Sequence, residues 1–202
     1  MNLGLAGKRV VVTGASHGIG LGIAEGFHLE GCAVVSNARD QARLTSSIAN
    51  RGDWFGVSGD VTDPLKADAV IQQAVDILGG LDVLVCNVGC GETAPPGQES
   101  FTDWQKSLSL NLFSATNIVE AAIPELKKTN GVIVCISSIC GSEVIPGAPV
   151  TYSAAKAALN AYIRGLALTL GAEGVRINGV APGNILFSGS VWDEKIKSNS
   201  NA

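Results

Sequence analysis

Histidine, charge and long apolar runs are what this sequence is short of. Only two histidines, His17 and His28, occur in 202 residues. Neither stands close to the cysteine pairs Cys86/Cys90 or Cys135/Cys140, so zinc-type spacing is excluded and no metal is expected. The five cysteines (those four and Cys32) are odd in number, scattered, and mostly inside apolar runs. They read as reduced thiols packing as small apolar side chains. Charged residues make up 16% of the chain, the net charge is −4, and there is no basic stripe. A nucleic-acid partner is therefore not expected. No uninterrupted apolar stretch approaches the ~18–20 residues needed to span a bilayer. Residues 1–7 run straight into a strand-like segment without the layout of a signal peptide. The expectation is a cytoplasmic protein with no membrane partner. No internal repeat or interdomain linker is visible, so residues 1–202 are expected to form one domain.

What is present is apolar and rich in glycine: 46% hydrophobic residues and 25 glycines. That mixture suits a sheet buried on both faces with glycine at tight turns. Strand-like runs at 8–13, 32–38, 54–57, 81–86, 132–137 and 175–180 alternate with helix-like segments. The helical segments are 19–30, 41–50, 67–78, 101–128 and 151–170, with a Gly/Pro-rich loop at 89–97 and another loop at 139–150. Such alternation predicts an α/β fold with right-handed crossovers. The sheet should be parallel and doubly wound, about six strands with helices on both faces. Residues 194–202 are polar and expected to fray.

Two local patterns carry chemistry. The first strand runs into Thr13, Gly14, Ala15, Ser16, His17, Gly18, Ile19 and Gly20, and a helix follows at once. Glycines here permit a tight turn and a close backbone approach to a pyrophosphate, while the helix N-terminus offers free N–H groups. The bland reading is a glycine-rich turn without a ligand. In the second pattern, Tyr152 precedes Lys156 by four residues on a helix, so phenol and ammonium share a face. A nearby positive charge should depress the phenol pKa from ~10 toward neutral acid–base work. Alone, this is equally an ordinary helix surface pair.

Read together, these motifs resemble the single-domain short-chain dehydrogenase/reductase family, with likeness to its 3-oxoacyl-[acyl-carrier-protein] reductases. The resemblance runs from Leu5 to about Ile185. Its parts are the G-x-x-x-G-x-G turn, Asp60 and Val61, Asn87-Val88-Gly89, Asn111, Ser138 with Gly141 three residues on, Tyr152 with Lys156, and Pro182-Gly183. The glycine spacing disfavours the extended sugar-nucleotide branch.

The resemblance implies a doubly wound Rossmann fold and an oxidoreductase that interconverts a carbonyl and a secondary alcohol. Tyr152 would exchange a proton with the substrate oxygen, and Lys156 would lower its pKa and hold the nicotinamide ribose. Ser138 would hydrogen-bond the substrate oxygen; Ser137 complicates that choice, and the Ser-x-x-Gly pattern selects Ser138. Asn111 would interrupt its helix and anchor a water leading to Lys156. The implied cofactor residues are Gly14, Ser16, His17, Gly18, Ile19, Gly20, Arg39, Asp60, Val61, Asn87, Gly89, Tyr152, Lys156, Pro182, Gly183 and Ile185. Of these, Asp60 would meet the adenine edge and Asn87 the adenosine side.

An NAD enzyme would carry a carboxylate at the end of the second strand. Here Ala38 stands there and Arg39 follows, and a guanidinium can clamp a 2′-phosphate. NADP(H) is therefore favoured over NAD(H), the alternative being an ordinary exposed arginine. The family substrate is a small carbonyl or alcohol: a 3-oxoacyl thioester, sugar, polyol or small ketone.

Two departures stand out. Phe187 occupies the place where relatives carry a nicotinamide-binding threonine. Relatives continue through covering helices and a seventh strand that are not expected within residues 1–202, so residues 175–180 should form an uncovered edge. Relatives pair through the helices carrying Asn111 and Tyr152, so a homodimer is expected; a second, tetramer-forming interface draws on the missing elements. The alternative function is a truncated, non-catalytic nucleotide-binding or assembly protein.

Overall fold

A computed structural model describes residues 3–48, 51–187, 190, 193, 196 and 197. The expected end of the second helix (Ala49, Asn50), residues 1–2 and most of the polar tail lie outside the described residues.

Six strands form one sheet in the order β3-β2-β1-β4-β5-β6, every pair parallel. In chain order these are β1 (Arg9–Thr13), β2 (Ala33–Ala38), β3 (Trp54–Ser58), β4 (Val83–Cys86), β5 (Val132–Ile136) and β6 (Arg176–Val180). The helices are α1 (Gly18–Leu29), α2 (Gln41–Ile48), α3 (Pro64–Leu78), α4 (Phe101–Leu108), α5 (Ser114–Thr129) and α6 (Val150–Gly171). The expected doubly wound Rossmann arrangement is what the chain adopts.

Alternate strand residues point to opposite faces, and burial on both explains why β1, β2, β4 and β5 carry runs of apolar residues. Val11, Val35, Leu84 and Ile133 pack with Val70, Ile118 and Leu159 of α3, α5 and α6. Val10, Val12, Val34 and Val85 pack on the other face with Ala24 of α1 and Trp54. Strand order reverses between β1 and β4, and a crevice opens beyond their carboxyl ends, where ligands bind in such sheets. The opposite end is fastened by Arg9, whose Nε and Nη2 donate to Asp82 Oδ2 and Oδ1 at 2.7 and 3.2 Å. The Arg9 backbone N–H donates to the same carboxylate.

The structure revises the start of α3. The apolar periodicity of α3 starts at Ala67, but the helix begins at Pro64. Asp63 caps it by accepting from the backbone N–H groups of Leu65 and Lys66, and proline suits the first helical position. The helical region expected over 101–128 is divided, as the expected interruption at Asn111 requires. A Ser100–Asp103 capping box opens α4, a π turn covers Ser109–Phe113, and α5 follows. Among the described residues, β6 pairs only with β5, and four of its five residues are exposed.

Candidate active site

The glycine turn closes the crevice at the β1 end. Gly14 and Gly18 have φ of +63° and +57°, which side chains larger than hydrogen rarely adopt. Gly20 is required for another reason: a Cβ there would collide with the Gly14 carbonyl oxygen and the Asn87 side-chain amide. Asn87 ties β4 to this turn across the switch point. Its N–H donates to Thr13 Oγ1 at 3.0 Å, and its Nδ2 donates to the carbonyls of Thr13 and Gly14 at 3.1 Å each. Its amide nitrogen is thus committed to the turn, while the residue still lines the cleft.

A cleft of about 520 Å³ runs from this turn toward the ends of β2 and β3. Gly14, Ser16, His17, Gly18, Ile19, Gly20, Arg39, Asp60, Val61, Asn87 and Gly89 all line it. Asp60 Oδ1 accepts from the Thr62 N–H and hydroxyl at 3.1 and 2.8 Å, and Arg39 Nη1 lies 3.8 Å from Asp60 Oδ2. Partial burial works to raise the Asp60 carboxyl, but the Thr62 hydrogen bonds and the Arg39 charge hold it below its ordinary value. Burial, and then the charge of Arg43, push His17 below its ordinary pKa, so its imidazole is neutral at pH 7.

Lining residues that the sequence did not point to include Arg43, Lys106 and Leu110. Arg43 sits in the first turn of α2, its N–H held by Asp40 Oδ1 at 3.0 Å. The short interval from Arg39 was its only signal. Lys106 and Leu110 come from α4 and the π turn and had none.

A smaller cavity of about 160 Å³ adjoins the cleft through the shared walls Ile19, Asn87, Gly89 and Cys90. Ser138, Tyr152, Lys156, Pro182 and Gly183 line it. Ser138 lies two residues past β5 and caps a short 3₁₀ turn, its Oγ accepting from the Cys140 N–H at 3.2 Å. Gly141 ends that turn because a Cβ there would come within 2.7 Å of the Lys156 main chain. The Ser137 hydroxyl is spent on Asn160 Oδ1 at 2.5 Å, which separates it from Ser138.

Lys156 is 3% exposed and donates to the Ile136 carbonyl at 2.8 Å. Burial lowers its pKa to about 8. Its Nζ lies 5.9 Å from the centre of the Tyr152 ring. The expected depression of the Tyr152 pKa by Lys156 is not found. Burial raises the phenol above 10, and the hydrogen bond with Ser138 only partly offsets this. The ammonium points at a strand carbonyl, so desolvation of the phenolate dominates.

The helix interruption expected at Asn111 is present as the π turn, with Asn111 1% exposed. Its Nδ2 donates to the carbonyls of Cys90 and Ser107 at 3.0 Å, and its Oδ1 accepts from the Cys90 N–H at 2.9 Å. Its side chain therefore ties the helix to the Cys90 loop. Gly89 permits this approach: a Cβ there would lie 2.9 Å from Asn111 Oδ1 and 3.3 Å from Lys156 Nζ. Ile185 lines neither cavity and stands 45% exposed. Phe187 instead reaches into the larger cleft.

Comparison with known proteins agrees with this geometry. The short chain dehydrogenase family model matches residues 8–197. L-fucose dehydrogenase of Mus musculus is 33% identical over 196 residues, covering 96% of this chain and 71% of the relative. The 7alpha-hydroxysteroid dehydrogenase of Escherichia coli K12 is 32% identical over 189 residues, covering 92% of this chain and 74% of the relative. Among solved structures, the Pseudomonas aeruginosa RhlG/NADP active-site complex superposes with a TM-score of 0.89 at 28% identity, covering 96% and 78% of the two chains. A Caenorhabditis elegans short-chain dehydrogenase/reductase with cofactor gives 0.83 at 30% identity, covering 89% and 70%. A glycine turn at the switch point, with Ser138, Tyr152 and Lys156 gathered beside it, is thus found on a chain that belongs to the short-chain dehydrogenase/reductase family.

Proposed function

We propose that this chain is a single-domain, NADP(H)-dependent oxidoreductase that interconverts a carbonyl and a secondary alcohol. The observation that carries the reading is convergence: Ser138 from just past β5 and Tyr152 and Lys156 from α6 share one cavity, open to the cleft over the glycine turn.

The residues present fit a dinucleotide. Gly14, Gly18 and Gly20 add no side chain of their own at the N-terminus of α1, and its first turn holds no acidic residue to repel a pyrophosphate. At the end of β2 the cleft carries Ala38 in place of a carboxylate, with Arg39 and Arg43 beside it. Two guanidiniums there suit a 2′-phosphate. NADP(H), when bound, supplies the hydride acceptor or donor.

The chain's own residues manage the proton and the substrate oxygen. Tyr152, a neutral phenol at pH 7, gives its proton to the oxygen that becomes the alcohol and takes it back in oxidation. Ser138 donates a hydrogen bond to the same oxygen and stabilises the negative charge that develops there. Lys156, a cation below about pH 8, favours the phenolate left behind. Asn111 keeps the Cys90 loop, and with it the cavity wall, in place.

The relatives are named for L-fucose and for hydroxysteroids. The substrate panel therefore extends beyond a 3-oxoacyl thioester to sugars and cyclic secondary alcohols. Exposed Ala157 and Ala161 on α6 offer a close-packing face for a homodimer, and we place the protein in the cytoplasm.

The test is NADPH oxidation by the purified protein with that panel. Tyr152→Phe should lose about 10²-fold or more in turnover while still binding NADPH. Arg39→Ala should weaken NADPH binding about tenfold and leave NADH unchanged. NADPH binding without turnover of any substrate would instead support a non-catalytic nucleotide-binding protein. Equal binding of NADH and NADPH by both chains would overturn the cofactor assignment.

A further inference from the structure

Phe187 stands on the glycine turn itself. Its ring carbons Cζ and Cε2 lie 2.7 and 3.0 Å from where a Cβ on Gly18 would sit. The ring thus rests against the bare backbone of the turn, and it forms part of the wall of the 520 Å³ cleft. Its neighbours do not turn inward: Ile185 and Leu186 are 45% and 63% exposed. The main chain of Phe187 is also fastened. Its N–H donates to Ser190 Oγ at 3.3 Å, the Ser190 N–H donates back to the Phe187 carbonyl at 2.9 Å, and Ser190 is 5% exposed.

An apolar ring is a poor neighbour for this stretch of backbone. The start of α1 presents N–H groups that have no partner within the helix, and the positive end of a helix dipole, which favour an anion. Covering them with a phenyl group gives them no hydrogen bond, while the ring gains burial against Gly18. A diphosphate seated on the same N–H groups would need the space beside Gly18 that the ring fills.

We propose that Phe187 is a self-blocking gate on the cofactor cleft: its ring occupies the diphosphate approach in the free protein and must swing off Gly18 before a dinucleotide can seat. This rests on the cofactor reading above. The binding-competent fraction of free protein is then below one, and apparent affinity falls by that fraction. Removing the ring raises affinity, the opposite of what loss of a favourable ligand contact would do.

The experiment is NADPH binding by the wild type, Phe187→Ala and Phe187→Leu, read by nucleotide fluorescence at equilibrium and in stopped flow. Thermal unfolding of each chain establishes that all three are folded. Phe187→Ala should bind NADPH about fivefold tighter or more, with Phe187→Leu between it and the wild type. The observed association rate of the wild type should level off at high NADPH, at the opening rate of the gate, whereas that of Phe187→Ala should keep rising linearly. Equal or weaker binding by Phe187→Ala, with linear kinetics in every chain, would overturn the gate and leave the cofactor reading standing. Failure of every chain to bind NADPH or NADH would overturn the cofactor reading, and the gate with it.

Discussion

Replacing Lys156 by methionine isolates the cost of holding an ammonium under the candidate site. The group is 3% exposed, and burial brings its pKa from the ordinary 10.5 to about 8. Below about pH 8 the folded and unfolded chains both carry the proton, and the full penalty of burying the charge acts on the folded state. Between about 8 and 10.5 the unfolded chain binds more protons than the folded one, so wild-type stability rises with pH. Above 10.5 both forms are neutral and the penalty is gone. The gap between the two values corresponds to about 3 kcal/mol at pH 7, of which roughly 2 kcal/mol is recovered by pH 10.

Methionine fills similar volume without charge but leaves the Ile136 carbonyl without its donor, a loss of about 1–3 kcal/mol. At pH 7 the two effects nearly cancel, so the pH dependence is the informative quantity. Urea unfolding of both chains at pH 7 and pH 10 measures it, and titrations common to both cancel in the difference. The stability of Lys156→Met relative to wild type should fall by roughly 2 kcal/mol between those pH values. A difference that stays constant would refute the argument, since it would mean that Lys156 is solvated in the folded state.

Two further substitutions probe the framework around the site. Gly20→Ala places a methyl group against the Gly14 carbonyl and the Asn87 amide; it should destabilise the fold by about 1–3 kcal/mol and abolish NADPH binding. A variant with wild-type melting and wild-type binding would show that this contact is not tight. Asp82→Ala strands the Arg9 guanidinium, with both side chains under one third exposed, and should lose about 2–3 kcal/mol at pH 7. The Arg9 hydrogen bond holds the Asp82 carboxyl below its ordinary 3.8, so the contribution is present above about pH 4 and lost as pH falls through the lower folded value. Wild type and variant should therefore converge in acid; a gap that persists at pH 2 would rule out this pairing as its source.

Legibility in the sequence followed the range of the forces involved. The stretch Thr13–Gly20 was readable because positive φ and a missing Cβ are local demands that only glycine meets. The apolar strands were readable because burial on both faces leaves no polar alternation. The start of α3 was misplaced despite its Asp63-Pro64 signal, since apolar periodicity begins only at Ala67 and the cap lies outside it. The π turn at Asn111 was expected only from the resemblance, because it shifts hydrogen-bond register without changing which residues are apolar. Arg43 and Lys106 belong to the cleft only because α2 and α4 are folded beside the same switch point.

The sequence by itself determined the order of strands and helices, the glycine turn, and the identities of Ser138, Tyr152 and Lys156 as the residues to watch. Turn geometry, helix spacing and side-chain periodicity act over a few residues and leave their mark there. Only the tertiary structure decided the electrostatics. Lys156 meets the Ile136 carbonyl twenty residues away, Asn111 meets Cys90 twenty-one residues away, and Phe187 settles on Gly18. Desolvation depends on every atom packed around a group, and a phenol flanked by lysine in sequence is raised rather than lowered when the fold buries it and turns the ammonium elsewhere.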